Sequence, residues 1–366
     1  MSRTPKNTPH PKFNIDMSKD KYHSRQEELL NILFYSKELP SDLYIQMNMS
    51  YDNYRKYISF LLQNNIIKKI NKDRTIGYIL TTSGKKLTNQ FEYSKYKDCV
   101  NEEKRKYDLV HRHRKRQFAY LYALFDRAGI PYERFKKPNL NEAAVNGDKV
   151  YFYTALDFKK MIGIEATVFT GSRVLGFFIG KGQIIPVYRT NQLLKAFNSY
   201  EVIVPEIISQ HFDVTVNAAV LICNNTEAVA DISNQIIYNN ESELNYGVNT
   251  AKYKTFYIFP SNDSFISHFN DLYIDQEEEE RKVIEQYGVD ISDRDSKGRL
   301  RVNVGAGYIE NSPILIFTGN INVVKARSFI REAEYNDTIN YIICKRRDHD
   351  CIAKLIKEQP IKIIGI

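Results

Sequence analysis

The sequence predicts an α/β protein in two parts. The first is a small N-terminal unit of helices closed by a β-hairpin; the second is a larger α/β domain with a mostly parallel sheet. Three observations carry this prediction. Between residues 23 and 90, apolar residues recur first at helical spacing and then in short runs on either side of a polar tip. From residue 138 onward, short apolar runs alternate with amphipathic helix-length segments. The charge is also divided: residues 1–137 hold 28 Lys and Arg against 15 Asp and Glu, whereas 138–366 hold 24 against 29.

The first helix is expected over 25–35, where Leu29, Leu30, Leu33 and Phe34 share a face. Leu39-Pro40 breaks it, and Ser41-Asp42 opens a second, short helix over 43–47. Asn48-Met49-Ser50 forms the turn, with Ser50 as N-cap of a third helix over 51–64. That helix stops at Asn64-Asn65, because asparagine tolerates the left-handed conformation that ends helices. Residues 66–70 read as a strand, 71–74 as a hairpin tip and 76–80 as the returning strand. This order of elements is that of an N-terminal winged helix-turn-helix, a fold that lays one helix in a DNA major groove. Tyr54, Ile58 and Leu61 face the core of the third helix, which leaves Tyr51, Asn53, Arg55, Lys56 and Ser59 outward. Asn and Arg pair with adenine and guanine edges, whereas Lys and Ser more often hold phosphate. Lys72, Arg74 and Thr75 on the wing are placed for the adjacent backbone or minor groove. A winged helix used only for protein contacts is the alternative.

At 366 residues two domains are the default, and 43% hydrophobic content supplies real cores. The basic excess of the first half points to a polyanion met by that half alone. Residues 1–22, with Pro5, Pro9 and Pro11, read as a flexible basic tail, 23–98 as the DNA-binding domain and 99–137 as a basic helical connector. In that connector Arg112, Arg114, Lys115 and Arg116 are expected to add phosphate contacts, with a solvated charged linker as the alternative. An apolar helix over 118–128 stops at Gly129. Cys99, Cys223, Cys344 and Cys351 lack zinc spacing and suggest free thiols in a reducing compartment. The start has no apolar leader, and no window reaches the length of a membrane span. A soluble, cytoplasmic protein with no membrane partner is expected.

Beyond 138, a strand at 150–153 precedes a hairpin over 173–188 turning at Gly180-Lys181-Gly182. Strands at 218–223, 255–259, 314–318, 339–344 and 361–366 then alternate with helices at 226–237, 261–273, 321–333 and 349–357. Such units argue for a mostly parallel sheet with covering helices. The charge run 276–282 and the segment 290–298 read as a solvated excursion.

Chemical motifs are sparse. His111-Arg112-His113 lacks the apolar middle residue of a relaxase metal site. The hairpin strand from Gln183 to Arg189 carries no carboxylate, and Asp157 and Glu165 lack a partner at nuclease spacing. Val304-Gly-Ala-Gly307 is no phosphate loop, and Asp290, Asp293 and Asp295 do not fit a calcium loop. Thr318-Gly319-Asn320 follows an apolar strand, where α/β sheets bind ligands, although a plain turn also fits. No cofactor, metal or catalytic residue is therefore expected.

The winged helix, the His/Arg segment and the apolar helix after it resemble the replication-relaxation family of bacterial plasmid and mobile-element proteins. The run from Phe169 to Phe178 and that from Ile185 to Asn191 are similar to proteins of integrative and conjugative elements, although Arg189 and Asn191 stand where those carry Asn and Gly. The resemblance implies an accessory role in plasmid replication, relaxation or conjugation, with a relaxase or replication protein as partner and a larger domain of degenerate nuclease-like fold. The expected function is sequence-specific binding of double-stranded DNA, with a homodimer on near-palindromic sites. A repressor with a ligand- or partner-sensing C-terminal domain, and a metal-dependent nuclease or relaxase, are the alternatives.

Overall fold

The computed structural model describes residues 20–72, 74–101, 109–140, 142–143, 149–162, 173–190, 199–212, 214, 216–238, 253–291, 307–309, 312–334, 339–356 and 360–366. The expected tail lies outside these residues up to 19, and 20–22 already belong to the first helix. The chain divides into two compact units, Met1–Arg127 and Ala128–Ile366.

The first unit opens with α1 (Asp20–Ser36), β1 (Leu39–Pro40), a 3₁₀ turn (Leu43–Ile45), α2 (Tyr51–Gln63) and the hairpin of β2 (Ile67–Lys72) and β3 (Thr75–Leu80). Leu29, Leu33 and Phe34 of α1 are fully buried, as their spacing predicts. The expected second helix shortens to the 3₁₀ turn, and Asn48, at φ 49°, makes the corner into α2. The sheet is antiparallel with the order β1-β3-β2, so Leu39 and Pro40 form an edge strand opposite Tyr78 and Gly77. Proline is tolerated there because an outer strand can lack an N–H. The hairpin is tighter than predicted: Lys72 pairs with Thr75, and Arg74 is left-handed at φ 59°.

After α3 (Thr82–Lys86) and α4 (Lys97–Asn101) comes α5 (Leu109–Ala128). The sequence reading makes 99–137 a basic helical connector. α5 packs within the first unit up to Arg127, with Tyr122 edge-on to Tyr35 of α1. It ends at Gly129, at φ 67°, the left-handed stop its sequence announces.

In the second unit, β4 (Tyr151–Thr154), α6 (Ala155–Ile162), β5 (Gly176–Gly180), β6 (Gln183–Arg189), α7 (Ser199–Phe212), β7 (Ala218–Cys223), α8 (Thr226–Tyr238) and β8 (Thr255–Pro260) give a sheet of order β4-β5-β6-β7-β8. Then α9 (Phe265–Asp271), α10 (Gln276–Tyr287), β9 (Gly307–Ile309), β10 (Ser312–Phe317), α11 (Val323–Ala333), β11 (Asn340–Cys344), α12 (His349–Ile356) and β12 (Ile361–Gly365) give a second sheet, β12-β11-β10-β9. The one mostly parallel sheet of the prediction is therefore two mixed sheets. Strands joined through helices (β7 to β8, and β10 to β11 to β12) pair in parallel, as does β6 with β7. The tight turn at 180–182 makes β5 and β6 antiparallel.

Both sheets feed one core, in which Leu221 and Ile258 meet Leu315, Phe317, Ile236, Phe329 and Leu355. The other face of β10, Ile314 and Ile316, packs with Val283 of α10, so this apolar run is buried on both sides. The charge run 276–282 is helical rather than an irregular excursion. Asp275 caps it, accepting from Glu278 N at 3.1 Å, and Gly288 ends α10 in the left-handed region. Three glutamates in its first turn face the positive end of the helix dipole. Among the described residues, no helix is long and apolar enough to cross a membrane.

Candidate nucleic-acid interface

Helix α2 starts where the sequence says it does. Ser50 is extended, and its Oγ accepts from Asn53 N at 3.3 Å. Tyr54, Tyr57, Ile58 and Leu61 are buried, and Tyr54 OH donates to the Pro40 carbonyl at 2.6 Å, tying α2 to β1. Burial pushes the Tyr54 phenol well above its ordinary range, so it stays a donor. Tyr57 escapes the sequence reading because the buried stripe is wider than three residues can mark. The predicted outward set is outward: Tyr51, Asn53, Arg55 and Lys56 are exposed, and Ser59 is half-buried. Asn65, at φ 53°, ends the helix, with Ile66 N donating to Leu61 O at 2.9 Å.

On the wing, Lys72, Arg74 and Thr75 are exposed. So are Lys68 and Lys69 of β2, which the sequence reading missed. Their signal was present: β2 is an outer strand, where lysine also deters pairing with foreign strands.

The basic run of α5 behaves differently. Arg112 is 2% exposed and Glu38 is 0% exposed. Arg112 Nε donates to both carboxylate oxygens of Glu38, at 3.0 and 3.2 Å. Its Nη1 donates to Lys72 O at 2.6 Å and its Nη2 to Thr75 O at 3.0 Å. Arg116 Nη1 reaches Ile76 O at 2.9 Å and Glu38 Oε1 at 3.3 Å, and its Nη2 reaches Asp42 Oδ1 at 3.4 Å. Both guanidinium groups, expected to add phosphate contacts, are turned into the protein, where they pair with the buried Glu38 carboxylate and take up carbonyls of the wing. Arg114 lies over the Phe118 ring at 5.9 Å, and burial lowers its pKa; Lys115 is half-buried. Glu38 and Gly77, which complete this cluster, carry no local motif that sequence reasoning could have used. Gly77 faces the Glu38 carboxylate so closely that a Cβ there would overlap Oε1.

The second unit holds its own buried polar cluster, at the carboxyl ends of β8, β10 and β11. Asn320 Nδ2 donates to the His268 carbonyl at 2.7 Å, so its Oδ1 is the acceptor for His268 Nδ1 at 2.9 Å. The other ring nitrogen therefore carries the lone pair, 3.8 Å from Asp348 Oδ1. Burial and the Arg347 charge lower the His268 pKa to about 4, and burial raises that of Asp348 to about 6. Asp271 binds Arg347 at 2.5 Å and Lys345 at 2.7 Å. Thr318-Gly319-Asn320 joins this cluster through Asn320 alone among the contacts described. Asp157, tested above as a nuclease carboxylate, accepts from Lys137 Nζ at 3.1 Å and Thr154 N at 2.8 Å, a local structural role. Among the described residues, no three His, Cys, Asp or Glu side chains gather to hold a metal ion.

Comparison with known proteins matches residues 25–101 to the family model described as winged helix-turn-helix. Residues 25–101 are a winged helix-turn-helix domain. No curated protein and no solved structure matches the chain. The winged helix runs from within α1 through α4 and stops short of α5. A domain of this kind implies double-stranded DNA as partner.

Proposed function

We propose that the protein is a sequence-specific reader of double-stranded DNA that works by binding rather than by bond-making. One observation carries the reading: within a winged helix, the exposed face of α2 presents Asn53, Arg55 and Lys56 while the wing presents Lys72 and Arg74. Asn53 and Arg55 read base edges, because both can form paired hydrogen bonds in the major groove. Lys56, Ser59 and the Ser50 end of α2 hold phosphate, with Tyr51 packed beside them. The wing residues Lys72, Arg74 and Thr75 follow the neighbouring backbone, joined by Lys68 and Lys69. Arg114 and Lys115 add charge from α5. Two copies on a near-palindromic site are the arrangement proposed for sequence reading. The resemblance to plasmid proteins makes an origin or promoter of a mobile element the duplex proposed.

The test is fluorescence anisotropy with labelled duplex in low and moderate salt. The wild-type chain binds duplex, and the Arg55→Ala, Lys56→Ala double variant loses roughly 1–3 kcal/mol per specific contact, about 10- to 100-fold each. Unchanged affinity in the double variant removes α2 as the reading helix. No binding by the wild-type chain in dilute buffer removes the proposal altogether.

A further inference from the structure

Helix α5 lies outside the residues matched as winged helix, yet it is fastened to both elements that would meet DNA. Toward its N-terminal end, Arg112 and Arg116 hold the wing through the carbonyls of Lys72, Thr75 and Ile76. In its middle, Tyr120 OH donates to Asp42 Oδ1 at 2.7 Å, just ahead of the 3₁₀ turn. In its last turn, Arg127 Nη1 donates to Gln46 O at 3.0 Å, where the chain turns toward α2. At 100° per residue these four side chains fall within about 80° of arc, and Arg112 and Arg127 are separated by about 22 Å of helix. One face of one rigid rod thus touches both the wing and the turn before α2.

We propose that α5 is a positioning element of the DNA-reading head, and that Arg112 sets the pitch of the wing relative to α2. The inference rests on the DNA-binding reading but concerns residues that touch no DNA. Arginine is required because a single planar group serves Glu38, Lys72 O and Thr75 O at once; lysine keeps the charge but cannot span all three. Glu38 fixes the guanidinium plane, and Gly77 leaves it the space. With the fork intact, the end of the wing is held at the carbonyls of Lys72 and Thr75. Without it, β1 and Arg116 still hold β3 at Tyr78, Gly77 and Ile76, but the end of the wing beside Arg74 loses its anchor and swings.

The experiment compares wild-type, Arg112→Lys and Arg116→Gln full-length chains by amide hydrogen exchange and by duplex binding across a salt series. For Arg112→Lys, wing amides around 72–76 exchange at least 10-fold faster, while those of α2 are unchanged. Duplex affinity falls about 10-fold, and the slope of log affinity against log salt drops by about one, the loss of one phosphate contact. A general loss of structure would instead speed exchange in α2 as well. Wild-type exchange and an unaltered slope in the variant overturn the proposal. Should Arg112→Lys fail to fold, Arg116→Gln tests the bracing role of α5 through its hold on Ile76 O: faster exchange at 75–77 with α2 unchanged and a shallower salt slope support it, and wild-type values of both overturn it. A wild-type chain that ignores DNA sinks the functional reading instead; the exchange result then still reports on the brace.

Discussion

Replacing Gly77 by alanine puts one methyl group into the least forgiving place in the first unit. The added Cβ would overlap Glu38 Oε1 and lie 3.0 Å from Cδ and 3.1 Å from Cγ. A carboxylate at the end of a free side chain would simply move aside. Glu38 cannot, because it is fully buried and gripped by Arg112 and Arg116. Overpacking alone costs about 1–3 kcal/mol. Displacing the carboxylate from its two arginines leaves buried charge without a partner, which costs about 3–5 kcal/mol. Alanine recovers about 0.4–1 kcal/mol by restricting the unfolded chain. The net expectation is a loss of at least about 3 kcal/mol, which lowers the melting of this unit by roughly 10 °C or more. Urea denaturation followed by amide exchange of residues 20–127 reads it without interference from the second unit. A Gly77→Ala chain whose first unit is destabilised by less than about 1 kcal/mol would show that Glu38 can retreat, and the rigidity assigned to the cluster would be refuted.

Ser50→Ala removes the cap of α2 and should destabilise the first unit by about 1 kcal/mol in the same assay, with Ser50→Asp restoring it. In the second unit, His268 and Asp348 impose opposite dependences on pH. The His268 pKa is lowered from 6.5 to about 4, so the unfolded chain binds more protons in between and stability is lost as pH falls from about 6.5 to 4. The Asp348 pKa is raised from 3.8 to about 6, so the folded chain binds more protons and stability is gained as pH falls through about 6 to 4. Each is of the order of 3 kcal/mol, and in the wild type they largely cancel. Asp348→Asn should therefore make the second unit acid-sensitive between pH 6.5 and 4, and His268→Asn should make it more stable in acid. Parallel pH profiles for the two variants would contradict the arrangement. Neutralising Lys68 and Lys69 should reduce the salt slope of duplex binding without changing sequence preference; an altered preference would place them at base edges instead.

Helix α2 was legible in the sequence because its information is local. Tyr54, Ile58 and Leu61 repeat at the period of a helix, Ser50 caps it and Asn65 ends it, so the outward residues follow by subtraction. The hairpin was legible for the same reason, to within the residues at its tip. The run from Arg112 to Arg116 was not. Its composition says cationic, but which guanidinium points inward depends on Glu38, 74 residues away, and on carbonyls of the wing that no periodicity can reveal. Alternation of strands and helices in the second unit was visible from 218 onward. That they sort into two sheets was not, because strand order depends on contacts between segments far apart in the chain. The glutamates of α10 illustrate the opposite error: charge without an apolar stripe reads as loop, while Asp275 and Gly288 mark both ends of a helix.

Gly129, left-handed at φ 67°, ends α5 just past the last residue of the first unit. Arg127, bonded to the carbonyl of Gln46, sits two residues upstream of it. Within the first unit, a strain on the last turn of α5 therefore bears on the corner that leads into α2, and the same helix carries it to the wing.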